Sequence, residues 1–398
     1  MKSIDLVILA GGKGTRIKQY LKNKPKPMLK FNNIFFLRYL INNYTKYPFK
    51  KIYILTGFKS KIIFKNFHNK IYNFTKIQCI KEKKLLGTGG ALFNLKKGKI
   101  NDFILANGDS IFDIDLIDFI KSCKKGNIGS IALANSKKNI NSSKLNNLGL
   151  KKNKIIYTKK NKFMNGGVYF FKRKLLNLIS NKICSLENDI LPKLIKKGEI
   201  SGKIYNDFFL DIGTPKYLKN TSYILNKIYR RPAVFLDRDG VINHDYGYVH
   251  KLKDFTFKKG VIAGLKFLIK KNYYIFVVTN QAGIAKNIFK EKDFINLHDN
   301  LKKKLSLKNI FFDDVQYSPY HPEGKIKKFR KKSPMRKPGN QMIKNIMSEW
   351  LINKKNSFMI GDKLSDKKCA KKSKLNFYYS SNDFLKQIKK IIRLSNNY

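Results

Sequence analysis

Two short apolar runs in this chain end abruptly in loops that carry glycine or paired aspartate. Leu6–Arg16 reads LVILAGGKGTR, and Ala233–Asp245 reads AVFLDRDGVINHD. A buried strand followed at once by such a loop is typical of the carboxyl edge of a parallel sheet, where ligands bind in open α/β folds. The two segments therefore predict two sheets, each with a site of its own at the tips of its strands.

Short apolar runs alternate with helix-like segments along the whole chain, which favours α/β domains. The strand candidates are DLVILA, KIYILTG, DFILANGD and GGVYFF in the first half and AVFLD, YIFVVTN and SFMIGD in the second. Helical spacing places two apolar sets on helix faces: Val261, Leu265, Leu268 and Ile269, then Phe294, Leu297, Leu301 and Leu305. We predict an α/β protein of two doubly wound, mainly parallel, Rossmann-like sheets.

The length of 398 residues corresponds to roughly two to three domains. A helix-like segment ends in Arg230, Arg231 and Pro232 directly before the strand AVFLD. Proline disfavours the helical conformation at the residue before it. We therefore predict two domains, residues 1–229 and 230–398, joined by a short linker.

The formal net charge is +58, from 84 Lys and Arg against 26 Asp and Glu. Such an excess of positive charge is typical of proteins that bind polyanions, either nucleic acid or an anionic membrane. The alternative is a compositional bias, because Lys, Asn, Ile, Phe and Tyr have codons rich in A and T. Lysine is spread over both halves, which favours the bias. We expect phosphorylated small molecules as substrates and neither nucleic acid nor membrane as a partner; the oligomeric state stays open.

The apolar runs also fall short of the ~20 residues that span a bilayer. A cleaved leader at the N-terminus would remove the glycine loop LAGGKGTR, so we expect a cytoplasmic protein. The four cysteines, Cys79, Cys123, Cys184 and Cys369, show no paired spacing. This pattern indicates reduced core residues and no disulfide framework.

In the second half, every predicted strand ends in residues suited to phosphate-ester chemistry. These residues are Asp237, Asp239, Thr279, Asn280, Gln281, Asp362 and Asp366, with Arg336 and Lys337 between the last two strands. A phosphate monoester repels nucleophiles, so Mg²⁺ held by carboxylates must neutralise its oxygens. Asp237 is then suited to attack phosphorus and Asp239 to protonate the leaving oxygen. Thr279 and Lys337 would stabilise the phosphate oxygens, and Asp362 would complete the metal site.

The ordered series FLDRDGVIN, VVTNQAGIAK, RKPG and MIGDKLSD resembles the haloacid-dehalogenase superfamily over nearly all of residues 232–375. It is similar to the branch of histidinol phosphatase and heptose 1,7-bisphosphate 7-phosphatase. The resemblance implies an α/β phosphatase with little or no cap. It implies a metal site for Mg²⁺ at Asp237, Asp239 and Asp362, and substrate contacts by Asn280, Gln281, Arg336, Lys337 and Lys363.

The same resemblance breaks at one place. Members of this branch usually hold a structural zinc with a Cys-x-His pair and a later Cys-x-Cys pair. Ser318, Tyr320, Ser333 and Met335 stand at those places here, and they cannot form the tetrahedral thiolate and imidazole site that zinc prefers. We predict that this chain binds no zinc.

In the first half, Gly11, Gly12 and Gly14 follow a strand and precede a helix-like segment. Glycines let backbone N–H groups approach a triphosphate closely at a helix N-terminus. The spacing is not that of a Walker A motif. The further segments KPKPM, LLGTGGAL, ANGD, MNGGVYFF and LDIGTP complete an ordered set that resembles the sugar-phosphate nucleotidylyltransferase family over residues 1–228.

This second resemblance implies that a sugar phosphate attacks the α-phosphorus of a nucleoside triphosphate and expels pyrophosphate. Arg16 is expected to bind the departing phosphates, and Lys26 to bridge the two substrates. Mg²⁺ ligands are expected at Asp109 and Asp211, and sugar contacts at Asn165, Gly166 and Glu187, although Glu187 is equally consistent with a helix-start charge. The nucleotide contacts are expected at Gly11, Gly12, Gly14, Thr15, Arg16, Lys26, Glu82, Gly87, Thr88 and Asp109.

Heptose 1,7-bisphosphate would require both reactions, because removal of its 7-phosphate leaves a sugar 1-phosphate. The two resemblances together point to GDP-D-glycero-α-D-manno-heptose, with GTP as the nucleotide, for bacterial surface polysaccharide. Three alternatives stay open: another sugar, a histidinol-phosphate-type substrate or another nucleotide such as UTP or CTP; a basic nucleic-acid-binding or end-repair protein; and a scaffold with one dead site.

Overall fold

The computed structural model describes residues 4–123, 126–135, 148–158 and 163–395. The chain divides into two compact units. The first comprises residues 1–43 and 49–223, and the second comprises residues 44–48 and 224–398. The helix Pro215–Tyr229 includes residues of both units, so a boundary at residue 229 stays a prediction.

Within the described residues, the first unit contains a mixed sheet of ten strands in the order β10-β11-β13-β9-β12-β7-β1-β4-β6-β5. The strands of the unit are β1 (Asp5–Ala10), β2 (Lys30–Phe31), β3 (Ile34–Phe35), β4 (Lys51–Thr56), β5 (Ile71–Tyr72), β6 (Thr75–Lys81), β7 (Phe103–Asn107), β8 (Ser110–Phe112), β9 (Gly129–Asn135), β10 (Leu148–Lys151), β11 (Lys154–Tyr157), β12 (Phe163–Phe171), β13 (Ile200–Tyr205) and β14 (Phe209–Asp211).

Parallel pairing joins β7, β1, β4 and β6, whereas β12 runs antiparallel to both β7 and β9. The expectation of a mainly parallel sheet is therefore too simple for this unit. An apolar run such as GGVYFF predicts a buried strand but contains no information on its direction. The α/β class itself is correct.

The helices of the first unit cover the sheet and bury its central strands. They are α1 (Phe36–Thr45), α2 (Ser60–Phe67), α3 (Gly87–Gly90), α4 (Leu116–Ser122), α5 (Leu191–Lys196) and α6 (Pro215–Tyr229), with 3-10 helices at Thr15–Tyr20, Lys26–Met28, Ala91–Leu95 and Arg173–Leu178 and a π-helix at Leu186–Ile190. The side chain of Asp115 caps α4 by accepting from the N–H groups of Ile117 and Asp118. Val7, Leu105 and Tyr169 lie in the core between these layers.

The second unit contains five strands that are all parallel, in the order β17-β16-β15-β18-β19. They are β15 (Ala233–Leu236), β16 (Tyr274–Asn280), β17 (Asp314–Ser318), β18 (Phe358–Gly361) and β19 (Asn376–Tyr379). After β15, the next strands β16 and β17 lie on one side of it, and the later strands β18 and β19 lie on the other side. The strand order therefore reverses between β15 and β18, and a crevice at such a reversal is the usual ligand position in open α/β sheets.

The helices of this unit are α7 (Val261–Lys270), α8 (Ala282–Ala285), α9 (Glu291–Ser306), α10 (Gln341–Glu349), α11 (Leu364–Lys372) and α12 (Phe384–Ser395), with 3-10 helices at Leu252–Asp254, Lys327–Phe329 and Lys354–Asn356. The apolar face expected on α9 is buried as predicted, and so is that of α7 except for Ile269, which is 37% exposed. Across the described ranges, no helix has the length and apolarity that crossing a bilayer requires.

Candidate active sites

The glycine loop after β1 brings the backbone close to two neighbours. A Cβ atom on Gly11 would clash with Oε1 of Glu82, and Gly14 has a φ of +64°, in the left-handed region. Gly14 precedes the 3-10 helix Thr15–Tyr20. Among the residues that the structure describes, none has an atom within 4 Å of a Cβ built on Gly12, so this part of the loop is not packed against them. The loop is therefore shaped for close approach of a ligand to its N–H groups.

A buried lysine links two carboxylates behind this loop. Nζ of Lys26 lies 2.6 Å from Oδ2 of Asp109 and 3.8 Å from Oδ1 of Asp211. Pairing of β14 with β8 sets Asp211 opposite Ser110, so the two aspartates come together although they are far apart in the sequence. The Asp211 carboxylate also accepts from the N–H of Gly213 at 2.6 Å. Two such carboxylates can hold Mg²⁺, because it prefers oxygen ligands.

The glycine loop and this charged centre face a cavity of about 810 Å³. Its lining includes twelve of the residues expected from the sequence: Gly11, Gly12, Gly14, Thr15, Arg16, Lys26, Glu82, Gly87, Thr88, Asp109, Asn165 and Glu187. Gly166 and Asp211 are not part of that lining. A Cβ on Gly166 would clash with Cδ1 of Phe112, so glycine at this position is required for packing. A sugar contact at Gly166 stays a prediction, and the glycine lies outside this lining.

Glu82 presents a buried carboxyl group to the same cavity. Burial raises its pKa, while the N–H of Leu86, which donates to Oε2 at 3.3 Å, opposes the shift. Lys13 and Tyr169 are among the lining residues that were missed in the sequence. Tyr169 lies four residues after Asn165 in one strand, and its alternation with Asn165 was the signal that could have found it.

In the second unit, another buried lysine links two carboxylates. Nζ of Lys337 lies 2.7 Å from Oδ2 of Asp237 and 2.6 Å from Oδ1 of Asp366. Asp237 follows β15 directly, and Asp366 lies in the first turn of α11. Burial raises the pKa of Asp237 to about 6, against the opposing effect of Lys337. Burial also disfavours the charge on Lys337, but Asp237 and Asp366 outweigh it and raise the lysine pKa.

Three carboxylates converge at the reversal point of the sheet. Oxygen atoms of Asp237, Asp362 and Asp366 all lie within 4.8 Å of one another. Oδ1 of Asp362 is buried and accepts no hydrogen bond from any residue that the structure describes. Gly240, with a φ of +79°, permits this approach, since a Cβ there would clash with Oδ2 of Asp362. An all-oxygen donor set with one unsatisfied buried oxygen fits a hard divalent cation such as Mg²⁺.

Asp239, which we expected among the metal ligands, is not a member of this cluster. Its oxygens accept from Arg238 at 2.8 Å, from Asn243 at 2.9 Å and from Gln281 at 3.1 Å. Asp366 takes the place of Asp239 in the cluster and was missed as a ligand. Asp362 lies just before α11 and Asp366 lies in the first turn of that helix, and this four-residue spacing was the available signal for Asp366.

Two residues that we predict to contact substrate also hold other site residues. The amide of Asn280 exchanges two hydrogen bonds with the backbone of Lys337, at 3.0 and 2.9 Å. The amide of Gln281 donates to Thr279 at 2.9 Å as well as to Asp239, and it is buried. Asn280 therefore fixes the segment that carries Lys337, before α10, and Gln281 fixes Asp239 and Thr279 at the tips of β15 and β16.

Arg336 and Lys363 border the cluster. Arg336 is half-buried and donates to the carbonyl of Tyr320, while Lys363 is exposed and lies 3.9 Å from Oδ2 of Asp362. Burial raises the pKa of Asp362, and Lys363 opposes this shift. Lys363 also lies 3.2 Å from Oδ2 of Asp245, so its charge is shared between two carboxylates.

Contacts between residues of this chain hold the loop that carries Tyr320, Ser333 and Met335, where we expected no zinc. The carbonyl of Tyr320 accepts from Arg336, Lys331 lies 4.6 Å from the Tyr320 ring centroid, and the N–H of Met335 donates to Oγ of Ser333. Ser318 is buried at the end of β17. The expected lack of zinc stays a prediction, and these contacts are what would hold the loop without it.

Two family models match the chain. Residues 6–144 match the model described as Nucleotidyl transferase, and residues 235–391 match the model described as Polynucleotide kinase 3 phosphatase. The D-glycero-beta-D-manno-heptose-1,7-bisphosphate 7-phosphatase of Photorhabdus laumondii is 42% identical over 144 residues, which are 36% of this chain and 77% of that protein. The protein of the same name from Rhodopseudomonas palustris is 37% identical, over 40% of this chain and 91% of that protein. The chain belongs to this phosphatase family.

The first half is a nucleotidyltransferase domain, so this member of the phosphatase family is an enzyme with a transferase and a phosphatase domain in one chain. Both resemblances seen in the sequence are confirmed. The crystal structure of HddC from Yersinia pseudotuberculosis complexed with GMP-PN is 27% identical, covers 56% of this chain and 99% of that chain, and gives a TM-score of 0.47.

Proposed function

We propose that this enzyme removes the 7-phosphate of D-glycero-D-manno-heptose 1,7-bisphosphate and then transfers a guanylyl group from GTP to the resulting heptose 1-phosphate. The products would be GDP-heptose and pyrophosphate. The observation that carries the proposal is the presence of two separate centres, each with a buried lysine between two carboxylates. The names of the relatives of the second half supply the heptose bisphosphate.

In the phosphatase reaction, the Asp237 carboxylate attacks phosphorus and forms an aspartyl-phosphate while the bond to the sugar oxygen breaks. Asp239 protonates that leaving oxygen and then takes a proton from the water that hydrolyses the intermediate. Gln281 and Arg238 support this role, because they orient the Asp239 carboxyl group. Lys337 stabilises the negative phosphate oxygens from its buried position.

In the transferase reaction, an oxygen of heptose 1-phosphate attacks the α-phosphorus of GTP, and pyrophosphate leaves. Lys26, Arg16 and the N–H groups of the glycine loop bind the phosphates, so catalysis depends on positioning and charge neutralisation. The cavity of about 810 Å³ supports this proposal, because it lies in the upper part of the size range of small-molecule sites.

Mg²⁺ would be held by Asp109 and Asp211 in the first site and by Asp237, Asp362 and Asp366 in the second. When bound, it would neutralise phosphate oxygens in both reactions. Carboxylate oxygens are the ligands that Mg²⁺ prefers, and the unsatisfied oxygen of Asp362 supports the second assignment.

The choice of GTP is supported by Glu82. Guanine presents two adjacent N–H donors on its Watson–Crick edge, whereas uracil presents one donor between two carbonyls. Adenine and cytosine place an acceptor beside their amino group. The ionised form of the Glu82 carboxyl group, which the N–H of Leu86 favours and burial disfavours, only accepts hydrogen bonds. In that form a Glu82 on the cavity wall matches guanine best.

A second candidate is repair of nucleic-acid ends. It is favoured by the net charge of +58 and by the description of the family model that matches residues 235–391. It predicts tight DNA binding that weakens steeply with salt, and phosphate release from 3′-phosphorylated DNA. The even spread of lysine over both halves favours the heptose reaction. A cytoplasmic location, expected from the sequence, is part of that first proposal.

The test supplies the full-length protein with heptose 1,7-bisphosphate and GTP, UTP, CTP or ATP in turn. We expect phosphate release with every nucleotide, pyrophosphate release mainly with GTP, and the mass of GDP-heptose in the product. Histidinol phosphate and 3′-phosphorylated DNA serve as rival phosphatase substrates. Faster phosphate release from either of them would contradict the proposed substrate.

A further inference from the structure

Hydrogen bonds join the nucleotide side of the first cavity to its sugar side through Thr88. The N–H of Leu186 donates to Oγ1 of Thr88 at 2.9 Å, and Oγ1 of Thr88 donates to Oε2 of Glu187 at 2.7 Å. A hydroxyl group has one proton, which here lies on the bond to Glu187. The Thr88 hydroxyl is therefore committed to orienting a carboxylate and has no second proton for a ligand.

Tyr169 holds the other oxygen of the same carboxylate. Nδ2 of Asn165 donates to the Tyr169 hydroxyl at 2.8 Å, and that hydroxyl lies 3.4 Å from Oε1 of Glu187. The N–H of Gly167 donates to Oδ1 of Asn165 at 3.0 Å, which fixes the orientation of the amide. Tyr169 is fully buried, and burial followed by the charge of Glu187 raises its pKa well above the ordinary value. The hydroxyl therefore keeps its proton.

Backbone contacts make the two sides one rigid element. The N–H groups of Gly89 and Gly90 donate to the carbonyl of Cys184 at 3.0 and 3.2 Å, and the N–H of Cys184 donates to the carbonyl of Leu86 at 2.9 Å. Gly87 has a φ of +79°, and a Cβ there would lie 2.6 Å from the Cys184 carbonyl oxygen. Glu187 itself lies in a π-helical turn, a feature frequent at functional sites.

Oγ of Ser185 donates to the same Oε2 of Glu187 at 3.2 Å, so this oxygen accepts two hydrogen bonds. The cavity wall still offers one N–H of the Asn165 amide and a lone pair on Oε1 of Glu187. This pair of one donor and one anionic acceptor matches neighbouring hydroxyl groups of a sugar, which accept and donate in turn. We propose that Thr88 and Tyr169 are positioning residues that orient Glu187 for the sugar of the sugar 1-phosphate. The proposal rests on the proposed nucleotidyl transfer and replaces the nucleoside contact expected for Thr88 from the sequence.

The test compares Thr88→Val, which removes the hydroxyl and keeps the shape, with Thr88→Ser, which keeps the hydroxyl. Pyrophosphate release is measured on the full-length protein while GTP and heptose 1-phosphate are varied separately. Thr88→Val should raise the KM for the sugar 1-phosphate about tenfold and leave the KM for GTP within about twofold, as expected for one lost hydrogen bond. Thr88→Ser should match the wild type. Tyr169→Phe gives a second, independent measurement with the same expected direction.

A double-mutant cycle with Glu187→Gln tests whether Thr88 acts through Glu187. In the Glu187→Gln background, Thr88→Val should change the KM for the sugar 1-phosphate by less than about twofold. A rise in the KM for GTP alone, an additive cycle, or an unchanged Thr88→Val enzyme would each overturn the positioning role. Failure of the proposed function would look different, because the wild type would then release no pyrophosphate with any pair of nucleotide and sugar 1-phosphate.

Discussion

The two sites of this enzyme share one arrangement of charged side chains, but one aspartate is much more exposed in the first site than its counterpart in the second. In each, a lysine lies between two aspartates: Lys26 in the first unit and Lys337 in the second. The Asp109 side chain is 34% exposed, whereas the Asp366 side chain is fully buried. The difference fits the two proposed reactions. In the second site a fully buried carboxylate holds the lysine beside the proposed nucleophile, whereas nucleotidyl transfer needs an open cavity that admits two substrates.

The largest effect that tests this comparison is expected from Asp237→Asn. It removes the proposed nucleophile, so phosphate release should fall at least about 10³-fold. Pyrophosphate release from supplied heptose 1-phosphate and GTP should stay within about twofold of the wild type. Asp254→Asn, at an exposed aspartate of the same unit, is the matched control. Joint loss of both activities in Asp237→Asn would show that the sites are not separate.

Lys26→Ala tests the first site, where nucleotidyl transfer is proposed. Loss of the buried cation should lower pyrophosphate release by about 10²- to 10³-fold, because the charge that binds the phosphates is gone. Phosphate release should be unchanged. Lys24→Ala, at an exposed lysine two residues away, should leave both rates near the wild type. Equal loss in Lys24→Ala would indicate a general charge effect and no specific role of Lys26.

Asp366→Asn tests the second site at a residue that the sequence analysis named at a strand end but missed as a metal ligand. Lys337 would keep Asp237 as its only charged partner among the site carboxylates, and its position would be less well determined. We expect kcat of phosphate release to fall about 10- to 100-fold, with a lower Tm. An unchanged kcat would mean that Asp366 contributes to folding alone.

Glu82→Gln tests the nucleotide preference of the open site. The amide keeps one acceptor and gains a donor, so it no longer matches two adjacent N–H groups. We expect the ratio of kcat/KM for GTP to that for UTP to fall about tenfold, while phosphate release is unaffected. The same ratio in wild type and variant would remove Glu82 from base recognition.

The smallest expected effect concerns pH. Burial raises the pKa of Asp237 to about 6, above the ordinary 3.8, so this carboxyl group takes up a proton as the pH falls through about 6. Protons then compete with Mg²⁺ and remove the nucleophile. Both the apparent affinity for Mg²⁺ and the kcat/KM of phosphate release should decline below about pH 6, by a few-fold per half unit of pH. A flat profile down to pH 5 would contradict the burial effect.

The fold class could be predicted from the alternation of strands and helices. Several site residues could be predicted as well, because they directly follow strands. Asp237 and the glycine loop each directly follow an apolar run, so each lies at the tip of the strand which that run forms. Strand direction was not readable: β12 is antiparallel, yet its apolar pattern is that of any buried strand.

Roles that depend on side-chain partners were also beyond the sequence. Gln281 and Asn280 stand at the correct strand tip, but only the fold shows that they hold Asp239 and Lys337. Asp366 and Tyr169 have spacing signals that are as common in structural residues as in site residues. The roles of Asp366 and Tyr169 are visible only in the folded structure, where residues distant in the sequence come into contact with them.

The central claim is that two independent centres perform two successive reactions, and mixing two single-site variants tests it most directly. Asp237→Asn and Lys26→Ala proteins, each unable to make product from heptose 1,7-bisphosphate and GTP, are combined and the product is analysed by mass spectrometry. GDP-heptose should appear in the mixture, because the Asp237→Asn protein uses the heptose 1-phosphate that the Lys26→Ala protein releases. A mixture without product, alongside a productive wild type, would contradict it.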